Sequence, residues 1–337
     1  MQRLKDIAKM AGVSPTTVSN VIHNREGRVS PETAGRIRKV LEESGYAPDV
    51  SARMLAAGCS GIICVLVGNS AKNIECRAEG YAVIRRLEQE ISRRNYHMVL
   101  HFADSAEEHL QFISMWKAEG VITIGLGTEQ NRIIQTRGRI PVVSINGEEG
   151  ILNVGPDDLG GGYLMGVHLL QCGHRRIHFL AEKEERVGEM LWEGLGKACM
   201  EAGILLKRED LSHLPKGIQR RRKFYKEHLA ALALENDVLF FASDYYAVEA
   251  EGYLRDLGIR VPEEISIAGY GNSEFALLGR PRLTTVHQEI SAKAEAAVRK
   301  LTDLLGGDSG AVGREIIPVR LVVRESVQTV EDLYLWG

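Results

Sequence analysis

The sequence has 337 residues, of which 44% are hydrophobic and 26% charged. This composition is typical of about two globular domains and excludes collagenous, disulfide-scaffold and disordered classes. No stretch approaches the ~18 consecutive apolar residues of a membrane span, and the charged start of the chain favours a cytoplasmic protein over a secreted one. The net charge of −3 is unevenly divided, because residues 1–60 carry +3 and the remainder −6. A basic segment on an acidic body favours contact with a polyanion.

Residues 4–45 show the periodicity of three short helices. The first is predicted to end at Gly12, since glycine readily takes the left-handed conformation that follows a helix end. The second is predicted to start at Ser14-Pro15 and the third at Ser30-Pro31. In both places the serine can cap free backbone N–H groups and the proline fits the first helical position. The first two helices and their short turn are typical of a helix-turn-helix.

The second of these helices carries a row of short polar side chains opposite its apolar face: Thr16, Thr17, Ser19 and Asn20. A helix with such a slim polar face fits the major groove of DNA and offers donors and acceptors to bases and phosphates. Any small helical bundle could show the same apolar periodicity. The polar row together with the basic charge of the segment favours DNA binding.

Three segments, Leu4–Ser19, Val29–Thr33 and Gly45–Pro48, resemble the head of the LacI/GalR (lactose-repressor/galactose-repressor) family of transcriptional regulators. The resemblance implies a regulator, expected to act as a repressor, that binds palindromic double-stranded operator DNA as a homodimer. It also implies a division into a helix-turn-helix domain at residues 1–46, a hinge at 47–60, and an effector-binding and dimerisation core at 61–337.

The resemblance assigns DNA contacts to the second helix and its surroundings. Bases would be read by Pro15, Thr16 and Asn20, and phosphates would be held by Thr17, Ser19 and Asn24. Asn20 stands where the family most often has arginine. Asparagine suits adenine whereas arginine suits guanine, so we expect an A·T pair in the operator there, unless Asn20 touches only phosphate or water.

Two further DNA contacts are implied in the hinge, which should form a short helix from about Pro48 when it meets DNA. Arg53 is a candidate for a minor-groove or phosphate contact. Leu55 stands where the family places an apolar wedge between the central base pairs, although an ordinary helix contact would also account for it.

From Gly61 onward the sequence alternates between strand-like and helix-like segments. Strands are predicted at 61–67, 96–100, 120–124, 141–145, 177–180, 238–241 and 265–268. Helices are predicted at 79–93, 107–117, 129–136, 160–171, 190–202 and 246–257. A last helix at 290–305 and a last strand at 316–323 follow. Two such blocks predict an α/β fold with two doubly wound parallel sheets, which bind ligands at the carboxyl ends of their strands. The stretch after residue 202 is less clear, and its basic run Arg220–Lys223 is interpreted as a solvated face.

Segments of the core resemble the same family, namely His168–Ile177, Gly258–Tyr270 and Pro281–Gln288. The resemblance implies two lobes like those of periplasmic binding proteins. The first would comprise about 61–156 and 287–312, and the second about 157–286 and 313–327. A small-molecule effector would bind between the lobes and control operator affinity. The resemblance implies that this effector is a carbohydrate or a derivative of one.

The expected effector site departs from the family pattern. Asn146 replaces an aspartate, Leu191 replaces an arginine, and Asn272 replaces an acidic residue. The predicted site consists of these three positions and the retained polar residues Asp157 and Asp244. Helix capping or loop structure would also explain the presence of Asp157, Asp244 and Asn272. Because the lost charged anchors normally form bidentate bonds to the ligand, an unusual carbohydrate, a non-sugar metabolite, a protein co-regulator or no effector all stay open.

No residue pattern indicates catalysis, a metal or a cofactor, so we predict that the protein is not an enzyme. The five cysteines include no CxxC pair, and Gly160–Gly162 lacks the lysine of a P-loop and the spacing of a dinucleotide fingerprint. A dehydrogenase on a doubly wound fold is therefore disfavoured. A periplasmic-type solute-binding protein shares the core architecture, but the expected lack of a signal peptide and the fused helix-turn-helix speak against it.

Overall fold

A computed structural model describes residues 4–22, 28–45, 59–68, 74–147, 151–183, 186–307 and 313–330, without the side chains of 74–80. The chain divides into two units, Met1–Ser60 and Gly61–Gly337. Most of the predicted hinge lies outside the described residues, and so do three of the predicted DNA contacts, Asn24, Arg53 and Leu55.

Three helices make up the first unit, as the sequence predicts: α1 (Leu4–Ala11), α2 (Pro15–Ile22) and α3 (Pro31–Ser44). Their core consists of six buried apolar side chains: Ile7, Ala8, Ala11, Val18, Val21 and Ile37. The three- and four-residue spacings place these side chains on one face of each helix, which leaves the opposite face of α2 to solvent.

Capping contacts confirm the predicted helix boundaries. Gly12 ends α1 with a left-handed φ of +66°. The hydroxyl oxygen of Ser14 accepts a hydrogen bond of 3.1 Å from the backbone N–H of Thr17, and Ser30 does the same for Thr33 over 3.3 Å. Each serine thus satisfies a backbone donor that the first turn of the following helix leaves free.

Strands and helices alternate through the second unit. Its strands are β1 (Ile62–Gly68), β2 (His97–Ala103), β3 (Gly120–Ile124), β4 (Val142–Ile145), β5 (Asn153–Pro156), β6 (Ile177–Glu182), β7 (Leu211–Leu214), β8 (Val238–Phe241), β9 (Ser266–Gly271), β10 (Thr284–Gln288), β11 (Arg314–Ile317) and β12 (Val319–Val322). Its helices are α4 (Ile74–Arg93), α5 (Ala106–Trp116), α6 (Thr128–Gly138), α7 (Asp158–Gln171), α8 (Arg186–Glu201), α9 (Ile218–Glu235), α10 (Asp244–Asp256), α11 (Phe275–Leu278) and α12 (Ile290–Leu305).

Two six-stranded sheets organise these elements into two lobes. The first sheet has the order β11-β5-β4-β3-β1-β2, and all its strands are parallel. The second has the order β12-β10-β9-β8-β6-β7 and is parallel except for β12, which runs antiparallel to β10. The prediction of two doubly wound sheets is confirmed, with one antiparallel edge strand that the sequence did not reveal.

Helices cover both faces of each sheet. In the first lobe, α4 and α12 pack on the face that carries Ile63 and Val65, while α5 and α6 cover the other face. In the second lobe, α7 and α8 pack on the face that carries Phe179, while α9 and α10 pack on the face that carries Leu180. Since neighbouring strand residues point to opposite faces, central strands such as β1, β3 and β8 are buried on both sides, as their apolar sequences predict.

The predicted course of the chain between the lobes needs two corrections. The strand expected at 316–323 is two strands, because Pro318 lacks the N–H that a ladder requires: β11 belongs to the first sheet and β12 to the second. The second lobe therefore resumes at Pro318 and not at residue 313. The earlier crossover also comes later than predicted, since His287 and Gln288 still pair with β12 in the second sheet.

The unclear stretch after residue 202 contains β7 and the long helix α9. The basic run at its start is only partly the solvated face that was predicted. Arg220, Arg222 and Lys223 are exposed, but Arg221 is 2% exposed. Arg221 lies four residues before the buried Tyr225, so it belongs to the inward stripe of α9.

Candidate DNA interface and effector cleft

Helix α2 presents the predicted polar row to solvent. Val18 and Val21 anchor the helix in the core of the first unit. On the opposite side, Pro15 and Thr16 are exposed, and Thr17, Ser19 and Asn20 are partly exposed. A short helix with one apolar and one small polar face has the shape that major-groove reading requires.

The first turn of α2 is fixed by the side chain of Ser14. Its hydroxyl oxygen lies 2.8 Å from the hydroxyl oxygen of Thr17 in addition to accepting from the Thr17 N–H. The rotamer of Thr17 is therefore held before any ligand arrives. This preorganisation suits a residue that would meet a phosphate, because less side-chain entropy is lost on binding.

The predicted site residue Asn146 lies at the carboxyl end of β4. Its backbone has a positive φ of +57°, which asparagine tolerates better than most residues, and its N–H donates to the carbonyl oxygen of Val154 over 2.8 Å. The Asn146 side chain is exposed, and its Oδ1 lies 3.4 Å from Nζ of Lys293. Asn146 thus stands at the edge of the first sheet where ligands of doubly wound folds bind.

Lys293 is a functional candidate that the sequence analysis missed. It lies in the first turn of α12, immediately after the β10 crossover, and only 2% of it is exposed. Its Nζ donates to Oε1 of Gln288 over 2.8 Å and to Asn146. The one local sign of this role in the sequence is that the lysine stands between two alanines, at a position where the helix should face inward.

Asp157 caps a helix, which was the alternative interpretation of this residue. Its Oδ1 accepts from the N–H of Gly160 over 2.9 Å at the start of α7. The neighbouring Asp158 is the buried acid: it accepts a hydrogen bond of 2.7 Å from the hydroxyl of Tyr270 and lies 3.5 Å from Nη2 of Arg314. Burial raises the pKa of the Asp158 carboxyl, against the opposing effects of Tyr270 and the nearby cations.

Asp244 and Asn272 belong to a hydrogen-bonded network inside the second lobe. The buried carboxylate of Asp244 accepts from the N–H of Ser273 over 2.6 Å and from the hydroxyl of Thr285 over 2.5 Å. Oδ1 of Asn272 accepts from Arg324 over 2.6 Å. The contacts of Asp244 join α10 to Ser273 after β9 and to Thr285 of β10, and the contact of Asn272 joins the same segment to Arg324 after β12. Both residues therefore have the structural role that was their alternative interpretation.

The prediction that Leu191 contacts an effector is wrong. Leu191 is completely buried in the core of the second lobe. Helices α7 and α8 approach so closely there that a Cβ added to Gly162 would lie 2.1 Å from the carbonyl oxygen of Leu191. An apolar side chain at this position packs inward, where no ligand can reach it.

Arg186, at the start of α8, makes a direct contact between the lobes that sequence reasoning also missed. Its Nη1 donates to the carbonyl oxygen of Gly147 over 2.8 Å. The same oxygen accepts from Nδ2 of Asn153 over 3.0 Å. The loop after β4 is therefore held from its own lobe by Asn153 and from the other lobe by Arg186.

A buried polar cluster lies where β6 and β8 end in the second lobe. Nε of Arg221 lies 2.5 Å from Oε2 of Glu249, and its guanidinium group stacks 4.7 Å from the ring centre of Tyr246. The hydroxyl of Tyr246 in turn donates to the carboxylate of Glu182, the last residue of β6. Arg221 and Glu249 thus pair their charges inside the second lobe, and Tyr246 links this pair to Glu182.

In the described part of the chain, no three His, Cys, Asp or Glu side chains come together in a way that would hold a metal ion. No described helix is long and apolar enough to cross a membrane.

Comparisons with known proteins agree with this architecture. Residues 3–49 match the family described as "Bacterial regulatory proteins, lacI family", and residues 167–327 match the "Periplasmic binding protein-like domain". The HTH-type transcriptional repressor PurR of Mannheimia succiniciproducens is 29% identical over 98% of this chain and 100% of its own length. The HTH-type transcriptional regulator CelR of Thermobifida fusca is 27% identical over 96% of this chain and 97% of its own.

Solved structures show the same fold. The transcriptional regulator CelR–cellobiose complex is 25% identical with a TM-score of 0.72, covering 97% of this chain and 100% of that chain. The lac repressor dimer bound to operator and the anti-inducer ONPF superimposes with a TM-score of 0.81 at 22% identity, covering 97% and 99%. The latter shows likeness of fold.

A helix-turn-helix unit followed by a two-lobed, periplasmic-binding-protein-like core defines a DNA-binding transcriptional regulator. The two sequence matches place both parts in one chain, and the relatives match along nearly its whole length. The chain therefore resembles the lacI family of bacterial regulators along almost its whole length.

Proposed function

We propose that this protein is a cytoplasmic repressor that binds palindromic operator DNA as a homodimer and changes its operator affinity when a small carbohydrate-related molecule binds between its lobes. The observation that carries the proposal is α2, which buries Val18 and Val21 and turns short polar side chains outward. A relative is a repressor by name, and the lac repressor dimer has been solved on its operator. We assign to the protein the binding of DNA and of a small molecule, and no catalytic activity, because these relatives are regulators.

On the operator, each subunit would place α2 in one major-groove half-site. Pro15, Thr16 and Asn20 would face base edges, and Thr17 and Ser19 would face phosphates, with Asn24, Arg53 and Leu55 as the further contacts that the family implies. The exposure of Pro15 and Thr16 supports their role, because residues that read bases have to be free of the protein core.

The effector would act at the carboxyl ends of the strands of both lobes. The structural relatives support this class of ligand, since CelR was solved with cellobiose and another LacI-family regulator with bound ribose. A ligand that binds one arrangement of the lobes more tightly shifts the population toward that arrangement. Through the hinge, the lobe arrangement would then change the spacing of the two DNA-binding units and the free energy of operator binding.

Operator selection tests the proposal. Full-length protein is used to select duplexes from a random library, and the selected sequence is expected to be a palindrome with two half-sites. Thr16→Ala should weaken binding to that sequence by about 1–3 kcal/mol if Thr16 reads a base. Thr136→Ala, at an exposed threonine of α6, is the matched control and should bind as wild type does. Selection of no common sequence would contradict the proposal.

A further inference from the structure

In the described part of the chain, three neighbouring segments cross between the lobes. β5 leads into α7 after Pro156, β10 leads into α12 after Gln288, and β11 leads into β12 at Pro318. β5 pairs with β11, and β10 with β12, right up to these crossovers. The N–H of Asp157 also donates to the carbonyl oxygen of Ile317 over 2.9 Å. A rotation of one lobe against the other therefore has to take place about this group of segments.

Asp158 is the first residue of α7, directly after the crossover from β5, and its carboxyl group is buried. One contact reaches this group from the second lobe, because the hydroxyl of Tyr270 in β9 donates to Oδ1 over 2.7 Å. Another reaches it from the first lobe, because Nη2 of Arg314 in β11 lies 3.5 Å from Oδ2. The two oxygens of one carboxylate thus contact different lobes.

Arg314 is fixed to the first lobe next to the crossover. Its Nη2 donates to the carbonyl oxygen of Pro156 over 3.0 Å. Gly155 leaves room for the guanidinium group, since a Cβ added there would lie 3.1 Å from the same Nη2. Because Arg314, Pro156 and Gly155 all belong to the first sheet, the distance from Arg314 to Asp158 depends on how α7 lies relative to that sheet.

Tyr270 is fixed to the second lobe against the first turn of α7. Its ring lies over Gly161, where an added Cβ would be 2.8 Å from Cε2 of the tyrosine. Residues 158 and 161 are one helical turn apart, so the ring and the hydroxyl of Tyr270 meet the same face of α7. Asn272 follows two residues later, at the carboxyl edge of the second sheet, where ligands of doubly wound folds bind.

These contacts favour one relative position of the lobes. Burial raises the pKa of the Asp158 carboxyl, whereas the Tyr270 hydrogen bond and then Arg314, Lys293 and Arg186, in this order of effect, lower it. Arg314 is thus the cation with the largest effect on this group. Moving the first sheet away from α7 would weaken that ion pair while the carboxylate stays buried, which costs free energy. The arrangement in which both contacts form is stabilised accordingly.

We propose that Asp158 is a positioning residue of the lobe hinge: by holding Tyr270 of the second lobe and Arg314 of the first, it stabilises one lobe arrangement and thereby sets the affinity for operator DNA. This inference rests on the proposed function, because it requires that the lobe arrangement controls operator affinity. It adds the residues that join the ligand-binding edge of the second sheet to the first lobe. A ligand beside Asn272 would act on the hinge through Tyr270.

Hydrogen exchange in the full-length protein measures the hinge directly. Tyr270→Phe removes the contact from the second lobe, and Arg314→Gln removes the ion pair with the first. In both variants the amide of Asp157 should exchange at least about tenfold faster than in wild type, since a hydrogen bond to a charged group contributes roughly that factor. Unchanged exchange at Asp157 in both folded variants would overturn the inference.

Tyr163→Phe is the matched control, because it removes an equivalent contact within a single lobe. The hydroxyl of Tyr163, also in α7, donates to the carboxylate of Glu201 in α8 over 2.7 Å. Exchange at Asp157 and operator affinity should both equal those of wild type in this variant. An effect of Tyr163→Phe as large as that of Tyr270→Phe would overturn the special role of Asp158.

Operator affinity, measured by fluorescence anisotropy on the selected duplex, tests the functional part. Tyr270→Phe and Arg314→Gln should each change it at least about fivefold and in the same direction. The double variant should change it no more than the larger single effect, because both substitutions interrupt one chain of contacts. Changes of opposite direction, or changes that add, would overturn the inference.

Two further outcomes separate the hinge from the proposed function. If wild type does not prefer the selected duplex to a scrambled one, the proposed function fails, and exchange at Asp157 alone decides whether Asp158 holds the hinge. If wild type does prefer it, but the variants exchange faster with unchanged operator affinity, operator binding stands. In that case Asp158 is only a structural residue and the inference is overturned.

Asp158→Asn keeps the experiment decisive if the other variants fold poorly. Asparagine has nearly the same shape and still accepts a hydrogen bond from Tyr270, but it has no charge to pair with Arg314. This variant should resemble Arg314→Gln in both exchange and operator affinity. Wild-type behaviour of folded Asp158→Asn would show that the ion pair has no part in the hinge, and would overturn the inference.

Discussion

Arg221 and Glu249 form a buried ion pair in the second lobe, with 2.5 Å between Nε and Oε2 and side-chain exposures of 3% and 13%. Arg221→Met removes the cation and leaves the carboxylate of Glu249 buried without it. Breaking a buried pair in this way should lower the free energy of unfolding by about 3–5 kcal/mol.

Urea unfolding followed by circular dichroism measures this effect. Lys223→Met, two residues further along α9, provides the control, since its ion pair with Glu227 is largely exposed and should contribute about 0–1 kcal/mol. Equal midpoints for the two variants would show that the Arg221 pair has no special importance for the second lobe.

Gly162→Ala should disrupt the contact between α7 and α8. The new Cβ would lie 2.1 Å from the carbonyl oxygen of Leu191, and this backbone atom cannot move aside as a flexible side chain can. We expect a loss of at least roughly 2 kcal/mol in the free energy of unfolding or failure to fold, by analogy with overpacked cores.

Gly196→Ala in α8 is the matched control for Gly162→Ala. A Cβ added at Gly196 would meet nothing within 4 Å. Alanine is the better helix former, so this variant should be more stable than wild type by about 0.5–1 kcal/mol. A Gly162→Ala protein as stable as Gly196→Ala would mean that the two helices pack less closely than the structure shows.

Acid should destabilise the first lobe through His109. This histidine of α5 is completely buried, and burial, together with the nearby His101 of β2, lowers its pKa to about 4, against the opposing effect of Glu108. The unfolded chain, with an ordinary histidine pKa near ~6.5, binds the proton first as the pH falls. Stability is therefore fully present above about pH 6.5 and is lost progressively toward about pH 4, by roughly 3 kcal/mol in all.

Urea midpoints measured between pH 7 and pH 4 test the role of His109. In His109→Gln, the loss of stability over this range should be smaller than in wild type. His213→Gln, at an exposed histidine, should reproduce the wild-type pH dependence. The same pH dependence in all three proteins would assign the acid sensitivity to other groups.

Asn20→Arg should change the operator that the protein selects. Asparagine forms paired hydrogen bonds with adenine and arginine with guanine, so one position of each half-site should change from A·T to G·C. Lys39→Met, at an exposed lysine of α3, serves as control and should select the wild-type sequence. An unchanged preference in Asn20→Arg would mean that Asn20 contacts only phosphate or water.

Local sequence signals predicted the parts of the fold that depend on local physics. Gly12, Ser14 and Ser30 marked helix boundaries because their conformational and capping preferences act within one turn. The strand β1 was recognisable because it is buried on both faces and therefore apolar throughout. Pro318 was a visible signal as well, since a proline seldom continues a strand, but the strand was predicted through it.

Contacts between distant parts of the chain explain the remaining differences. Arg221 interrupts the apolar stripe of α9, and only the fold reveals that Glu249 and two tyrosines enclose it. The contacts of Lys293 with Asn146 and of Arg186 with Gly147 join different elements of the core, and no local pattern encodes them. Two neighbouring aspartates also have different roles that the sequence does not distinguish. Asp157 caps α7, whereas Asp158 is buried near the cationic side chains.

Fluorescence anisotropy with full-length protein at about 150 mM salt measures whether the paired α2 helices bind the operator sequence-specifically. The labelled duplex carries the selected operator, and a scrambled duplex of equal length is the reference. We predict that two chains bind each operator, with an affinity at least ~10³-fold greater than for the scrambled duplex. Equal affinities for the two duplexes would mean that a basic segment is attracted nonspecifically to phosphates and that α2 does not recognise an operator sequence.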